Sequence, residues 1–201
     1  GVEEALRACG VENWYLESCR KIKYMFPKAH AVAYLIAAIR MMWFKINYPP
    51  EFYATYFTVR GEDIDYEAAI GGKQVAKQHI DMIQAKLREE KTAKSEDMLT
   101  SLLLVNEMLC RGYEFLPIEL GKSRAKLYAV EDGKVRLPFC ALKGVGGTAA
   151  ASLERATIDG QEYISVEELQ QATGVTSAVL ESLRSAGVLA DLPESSQVSF
   201  F

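Results

Sequence analysis

The sequence predicts a mainly α-helical protein that carries one small β element. Apolar residues recur at helical spacing over most of the chain, and residues that favour helix starts or ends separate the runs. The period changes between residues 113 and 137, where two short strand-like runs flank Asp132-Gly133. That dipeptide is typical of a two-residue hairpin turn. Beyond it, two glycine-containing turns each connect segments that favour short helices.

Composition limits the classes of protein that fit. The 201 residues are 49% hydrophobic, enough for one domain or two small ones, and the formal net charge is −4. A general nucleic-acid coat protein is excluded by that charge, so contact with DNA must come from local patches. The four cysteines are far apart and only two histidines are present. Spacing therefore indicates no zinc site, and the scattered cysteines fit a reducing cytosol.

The first 60 residues predict four helices: Val2 to Ala8, Val11 to Met25, Pro27 to Ile46 and Glu51 to Val59. The third is apolar on most of its faces, so we expect it to be buried. Its apolar run is interrupted by His30 and Arg40, and we expect it to be too short for a membrane span. Pro49-Pro50 is expected to stop it.

Three further elements precede the glycine turns. Asp65 is expected to cap a helix from about Tyr66 to Glu90, which Gly71-Gly72 weakens or breaks. Ser95 is expected to cap a helix that extends to about Arg111 and stops at Gly112. A β hairpin follows around Asp132-Gly133.

A cationic stretch lies between Ser18 and Ile46, where no Asp or Glu occurs. Helical spacing places His30 and Tyr34 on one face, close to Lys28 at the start of the third helix. A helix N-terminus beside these side chains suits a phosphate and a flat base. From spacing alone, a solvated basic surface with core aromatics is the more common arrangement. The basic residues of the stretch are Arg20, Lys21, Lys23, Lys28, Arg40 and Lys45.

Residues 139–150 resemble a helix-hairpin-helix. Gly144 and Gly146 permit a tight turn with positive φ, and the next helix is expected to begin at about Thr148. Backbone N–H groups and a helix N-terminus then converge on one phosphate oxygen, and Lys143 adds a charge. Such contacts are independent of base sequence. An ordinary helix-joining turn explains the same spacing. The predicted DNA-binding residues are Lys143, Gly144, Val145, Gly146 and Thr148.

A second hairpin follows. Ser165 and Glu168 form a capping-box pattern, and Gly174-Val175-Thr176 is a turn with Thr176 as the next helix cap. The turn contains no Lys or Arg, so this hairpin is expected to serve packing more than phosphate binding.

The last residues, from Leu192, predict a flexible tail rich in Pro, Glu and Ser. Two exposed terminal aromatics without a partner would favour aggregation, which indicates a binding peptide. The alternative is that the tail packs on its own domain. The candidate peptide is Gln197, Val198, Ser199, Phe200 and Phe201.

The stretches from Trp14 to Cys19 and from Phe26 to His30, with Tyr56 to Arg60 further on, resemble the PolC-type DNA polymerase III alpha subunit of Gram-positive bacteria. The resemblance implies a C-terminal fragment of that polymerase, which fits a chain that starts at Gly1. It divides the chain into the end of the helical fingers, a helical connector with a β hairpin, a tandem helix-hairpin-helix duplex-binding module and a clamp-binding tail. In that order these are residues 1–60, 61–137, 138–190 and 191–201.

The resemblance also implies ligands. Lys28, His30 and Tyr34 would face the incoming nucleotide and the nascent base pair, and the hairpins would hold the primer–template duplex. The tail would bind the sliding clamp, although Val198 and Phe200 stand where the usual pattern has Leu.

The family reaction is template-directed nucleotidyl transfer with magnesium, which needs clustered carboxylates. The sequence shows no such cluster, so we expect no catalytic or metal-binding residue here and no activity without the upstream palm and thumb. The family implies the bacterial cytoplasm, at the nucleoid, with no membrane contact. One alternative is a non-enzymatic helix-hairpin-helix DNA-binding or scaffold protein. The other is a helical interaction module whose basic patch is plain surface.

Overall fold

The computed structural model describes residues 1–22, 27–61, 64–158 and 160–195. It confirms the predicted class, since helices dominate and a small three-stranded sheet interrupts them. The chain separates into two compact units, residues 1–43 and 44–201. The four-part division implied by the resemblance stays a prediction.

The first unit holds α1 (Val2–Ala8), α2 (Asn13–Lys21) and most of α3 (Lys28–Asn47). The bounds of α1 are as predicted. α2 begins two residues later than expected, and residues 23–26, where its end was expected, lie outside the described residues. The guanidinium of Arg20 donates two hydrogen bonds to the Glu3 carboxylate, which joins α2 to α1. That hydrogen bonding lowers the pKa of Glu3 from its usual value.

The expected burial of α3 is wrong. None of its residues is buried, and Val32, Ile39 and Trp43 are 47%, 57% and 52% exposed. A helix that is apolar on most faces indicates a covering partner, but its sequence does not say whether that partner lies in the same chain. The expectation that this apolar run is too short for a membrane span is also wrong. Among the helices of the described residues, α3 alone is long and apolar enough to cross a membrane. Core helices of soluble proteins meet the same criterion, so this is weak support for a membrane.

Six α-helices begin in the described residues of the second unit, and two of their starts differ from expectation. Pro49-Pro50 does not lie between helices, because these prolines form the first turn of α4, where the missing N–H of proline costs nothing. α6 is capped by Thr92, whose hydroxyl accepts the N–H of Ser95 at 3.2 Å; Ser95 itself lies inside the helix. The helices are α4 (Pro49–Arg60), α5 (Tyr66–Glu89), α6 (Ala93–Cys110), α7 (Gly147–Thr157), α8 (Val166–Thr173) and α9 (Ser177–Ser185).

Asp65 caps α5 as predicted, accepting the N–H of Ala68 at 3.0 Å. The expected break is also present, because Gly72 has φ 80° and ψ −172° inside the helix. Beyond this kink, Nδ1 of His79 lies 2.6 Å from the other carboxylate oxygen of Asp65. One carboxylate therefore connects the two halves of the kinked helix.

The sheet consists of β1 (Phe115–Leu116), β2 (Ala129–Glu131) and β3 (Lys134–Arg136). β2 and β3 form the predicted hairpin, with positive φ at Asp132 (49°) and Gly133 (77°). β1 pairs parallel to β3 on its other side. It lies inside the β element predicted between residues 113 and 137, but it was not predicted as a separate strand, because two residues have no readable alternation.

The core of this unit joins the sheet to the helices. The ring of Phe57 in α4 lies 5.7 Å from the ring of Tyr128 and 5.5 Å from that of Phe115. Thr58 accepts the N–H of Tyr128 at 3.0 Å. The hairpin strands are thereby fixed on α4, and the segment before β2 is held in a defined place.

Candidate nucleic-acid interface

The first hairpin consists of a one-turn 3-10 helix (Phe139–Ala141), an exposed turn and α7. Leu142 and Val145 have buried side chains that anchor the turn, and Lys143, Gly144 and Gly146 between and after them are exposed. Because Leu142 and Val145 are anchored in the core, the turn presents its cation and glycines to solvent.

The glycines of this turn differ from expectation. Gly144 has φ +92°, as predicted, but Gly146 has φ −72° and ψ 162°, an ordinary extended N-cap conformation. The expected positive φ at Gly146 is therefore wrong. The amide of Val145 is also occupied, since it donates to the carbonyl of Leu142 at 3.1 Å. Of the predicted residues, Val145 therefore supports the turn through its side chain and its amide.

The N-terminus of α7 carries backbone N–H donors that have no acceptor among the described residues. The first helical hydrogen bond runs from Ala150 to the carbonyl of Gly146, so the N–H groups of residues 146–149 have no helical acceptor. Gly146 has no side chain with which to cap them. These donors and the helix dipole together favour an anion at this end. Thr148, exposed in the first turn, belongs to this group.

The second hairpin differs at the corresponding helix end. Thr176 caps α9 by accepting the N–H of Val179 at 3.4 Å, and Ser165 caps α8 in the same way. Gly174 ends α8 in the left-handed conformation, with φ 66°. The N-terminus of α9 is thus capped by the protein itself, whereas that of α7 is open.

The second hairpin also supports the first. The Ser182 hydroxyl, on α9, lies 3.1 Å from the Lys143 carbonyl oxygen. A Cβ added to Gly144 would lie 3.1 Å from the same hydroxyl. Sequence reasoning missed Ser182, because a serine inside an amphipathic helix gives no local signal of a contact 39 residues away.

An open groove of about 1200 Å³ lies on one side of the turn. Its charged lining residues are Lys94 and Lys143 together with Asp65, Glu67 and Glu181. Acidic groups therefore outnumber lysines, and the groove itself does not favour a phosphate backbone. Gly147 is not part of its lining.

The sheet beside the hairpin is held by a buried cation. The side chain of Arg136 is 5% exposed and donates to Glu131 at 2.5 and 2.7 Å and to the Pro117 carbonyl at 2.8 Å. Glu119 lies 3.1 Å from the same guanidinium. Hydrogen bonding to Arg136 lowers the pKa of Glu131 from its usual value.

The predicted nucleotide-binding residues lie in the first unit. Lys28 is the first residue of α3, and Pro27 accepts the first helical hydrogen bond, from Ala31. The rings of His30 and Tyr34 lie 4.4 Å apart, tilted by 58°, on one face of the exposed helix. The geometry places these two rings together, as their spacing predicted.

The structure gives less information on the predicted C-terminal binding peptide and on metal binding. Gln197, Val198, Ser199, Phe200 and Phe201 lie outside the described residues. Among the residues that the structure describes, no group of three or more His, Cys, Asp or Glu side chains could hold a metal ion. Asp65, which is paired with His79, is engaged as a helix cap. The described residues therefore do not fit a magnesium site.

Comparison with known proteins agrees with this geometry. Residues 112–198 match the family model described as helix-hairpin-helix motif. The chain is 42% identical over 198 residues to "DNA polymerase III PolC-type" of Caldanaerobacter subterraneus subsp. tengcongensis, with 98% of the chain covered. It is 41% identical over 200 residues to the protein of the same name from Listeria welshimeri, with the whole chain covered. The chain spans 14% of the length of each of these relatives.

Proposed function

We propose that residues 1–201, which are homologous to a segment of PolC-type DNA polymerase III chains, contact primer–template DNA within a replicative DNA polymerase. The observation that carries the proposal is the open N-terminus of α7 beside Lys143, inside the helix-hairpin-helix match. Residues 146–149 offer four backbone donors to a phosphate oxygen, and no base edge is needed. The hairpin therefore binds the backbone of duplex DNA independently of base sequence.

The test is the salt dependence of duplex binding by the 201-residue chain. Each lost phosphate contact lowers the slope of log K against log salt by about 0.9. We expect Lys143→Ala to weaken binding and to lower that slope by about one. Lys134→Ala is the matched control, because Lys134 is already paired with Glu114 at 2.7 Å. A folded chain that does not bind duplex at low salt would contradict the proposal.

The exposed first turns of α3 support a second contact, with the incoming nucleotide. Lys28 supplies a charge for the phosphates, and the His30–Tyr34 pair supplies flat surfaces for the nascent base pair. In a polymerase that contains this segment, Tyr34→Ala should raise the KM for nucleotide, and Tyr34→Phe should retain most of the stacking. Equal KM values for all three proteins would refute the contact. That result would leave the duplex contact of the first hairpin as the proposed function of this segment.

The remaining partners follow from the same homology. The exposed apolar surface of α3 would be covered by the palm and thumb of the polymerase, which would also hold the catalytic magnesium. This segment alone would be inactive, and the enzyme would work at the nucleoid in the bacterial cytoplasm. The peptide Gln197 to Phe201 would bind the sliding clamp. Replacing both Phe200 and Phe201 by Ala should abolish binding to purified clamp without changing duplex binding.

A further inference from the structure

The basic side chains around the hairpins fall into two groups. Residues 112–195 contain eight Lys or Arg residues, and five of these have an acidic partner: Lys122, Arg124, Lys134, Arg136 and Arg184. The other three, Lys126, Lys143 and Arg155, have no acidic side chain within 4.0 Å among the described residues. Their charge is therefore available to an external anion.

Lys126 lies next to the open end of α7. Its Cε is 3.0 Å and its Nζ 3.4 Å from the position that a Cβ would occupy on Gly147, the first residue of that helix. A cation at a helix N-terminus is unfavourable without a counter-ion, because the dipole is positive there. An anion bound at this end would neutralise the ammonium and the helix terminus together.

The charges on the two sides of the turn favour the same position for a phosphate. The groove on one side is lined by Asp65, Glu67 and Glu181, which repel a phosphate and outnumber Lys94 and Lys143 in the same lining. Neither Lys126 nor Gly147 belongs to the groove lining. A backbone phosphate at the N-terminus of α7 is therefore favoured on the side where Lys126 stands.

We propose that Lys126 is a second phosphate-binding lysine, which with Lys143 and the N-terminus of α7 completes the backbone site of the first hairpin. This inference rests on the proposed duplex contact. It gives the segment before β2 a function beyond the helix-hairpin-helix turn itself. It also explains why Gly147 follows Gly146, since the missing Cβ leaves room for the lysine side chain.

The experiment measures binding of a short blunt-ended DNA duplex to the 201-residue chain over a range of salt. Lys126→Ala should weaken binding and lower the salt slope by about one, as Lys143→Ala does. Arg155→Ala is the control, because Arg155 has no acidic partner among the described residues and lies in α7, about 12 Å along the helix axis from Gly147. Arg155→Ala should change neither the duplex affinity nor the salt slope beyond the small effect of net charge.

Gly147→Ala is a second, independent variant. The backbone of Gly147 tolerates a Cβ, which meets only the flexible end of Lys126 and moves it away by a few tenths of an ångström. Binding should weaken while thermal stability stays equal or rises, since alanine favours the helix. If Lys143→Ala weakens binding but Lys126→Ala behaves like Arg155→Ala, the inference is wrong and the hairpin contact stands. If the unaltered chain does not bind duplex, both the proposed duplex contact and the inference about Lys126 are wrong.

Discussion

The hydroxyl of Ser182 in α9 lies 3.1 Å from the carbonyl oxygen of Lys143 and 3.2 Å from that of Ala178, one turn earlier in its own helix. The second hairpin thus contributes a side chain to the turn of the first. Since its own helix N-terminus is capped by Thr176, α9 supports the turn and leaves the open donors to α7. The two hairpins are therefore unequal in role.

Replacing Ser182 by Ala should loosen the phosphate-binding turn. A hydrogen bond of this kind contributes about 1 kcal/mol to stability, so the free energy of unfolding should fall by roughly that amount. Duplex affinity should also fall, but the salt slope should stay constant because no charge is removed. Ser185→Ala, the same change on an exposed serine of the same helix, is the control. A variant of Ser182 with unchanged affinity would show that the turn is rigid without this bond.

The two glycines of the first turn should respond differently to alanine. At Gly144 the backbone has φ +92° and the new Cβ would meet the Ser182 hydroxyl at 3.1 Å. Left-handed backbone costs an L-residue about 1–2 kcal/mol, and the contact adds to that. At Gly146, with φ −72° and open space, alanine should cost little stability. Denaturant unfolding of the two variants measures the difference, and equal losses would contradict the backbone assignment.

The hairpins show what local sequence can and cannot predict. Asp65, Ser165 and Thr176 were identified as caps because capping depends on a few neighbouring residues. The sequence also predicted Asp132-Gly133 as a turn for the same reason. It did not reveal that Ser182 contacts Lys143, because that contact depends on how α9 packs on the turn. The φ of Gly146 differs from expectation because α7 begins at Gly147, one residue earlier than expected, which makes Gly146 its extended N-cap.

Glu131 should carry a pH-dependent part of the stability. Its hydrogen bond to Arg136 lowers its pKa in the folded state, while the unfolded value is about 4.3. A carboxyl with a lowered folded pKa stabilises the fold above the unfolded pKa, and that stability is lost as pH falls through the folded value. Acid should therefore unfold the wild-type protein in part through this group.

Glu131→Gln should lower the free energy of unfolding at neutral pH by about 1–2 kcal/mol, because Arg136 is buried and loses a charged acceptor. The loss should shrink at acid pH, where wild-type Glu131 is also neutral. Glu114→Gln is the control, since Glu114 is paired with Lys134 at the surface and should matter less. Denaturant unfolding over a series of pH values measures the loss in the free energy of unfolding. A loss that is independent of pH would contradict the ion pair between Glu131 and Arg136.

α3 shows why burial could not be predicted from the sequence. The apolar faces of this helix were identified correctly, and so was the proximity of His30 to Tyr34. Hydrophobicity measures the tendency to be covered, not the identity of the covering surface. In a chain that spans 14% of its relatives, that surface need not be part of the same segment.

A carboxylate introduced at Gly146 should separate stability from DNA binding. Gly146 occupies an extended N-cap position with open space around its missing Cβ, so Asp fits there without strain. Its carboxylate would accept the N–H groups at the start of α7 and complement the dipole, which should raise stability by a few tenths of a kcal/mol. The same carboxylate would occupy and repel the phosphate site, so duplex affinity should fall strongly. Gly146→Ser, which caps without a charge, should stabilise similarly and weaken binding less. If Gly146→Asp binds duplex as tightly as the unaltered chain, the N-terminus of α7 does not contact phosphate.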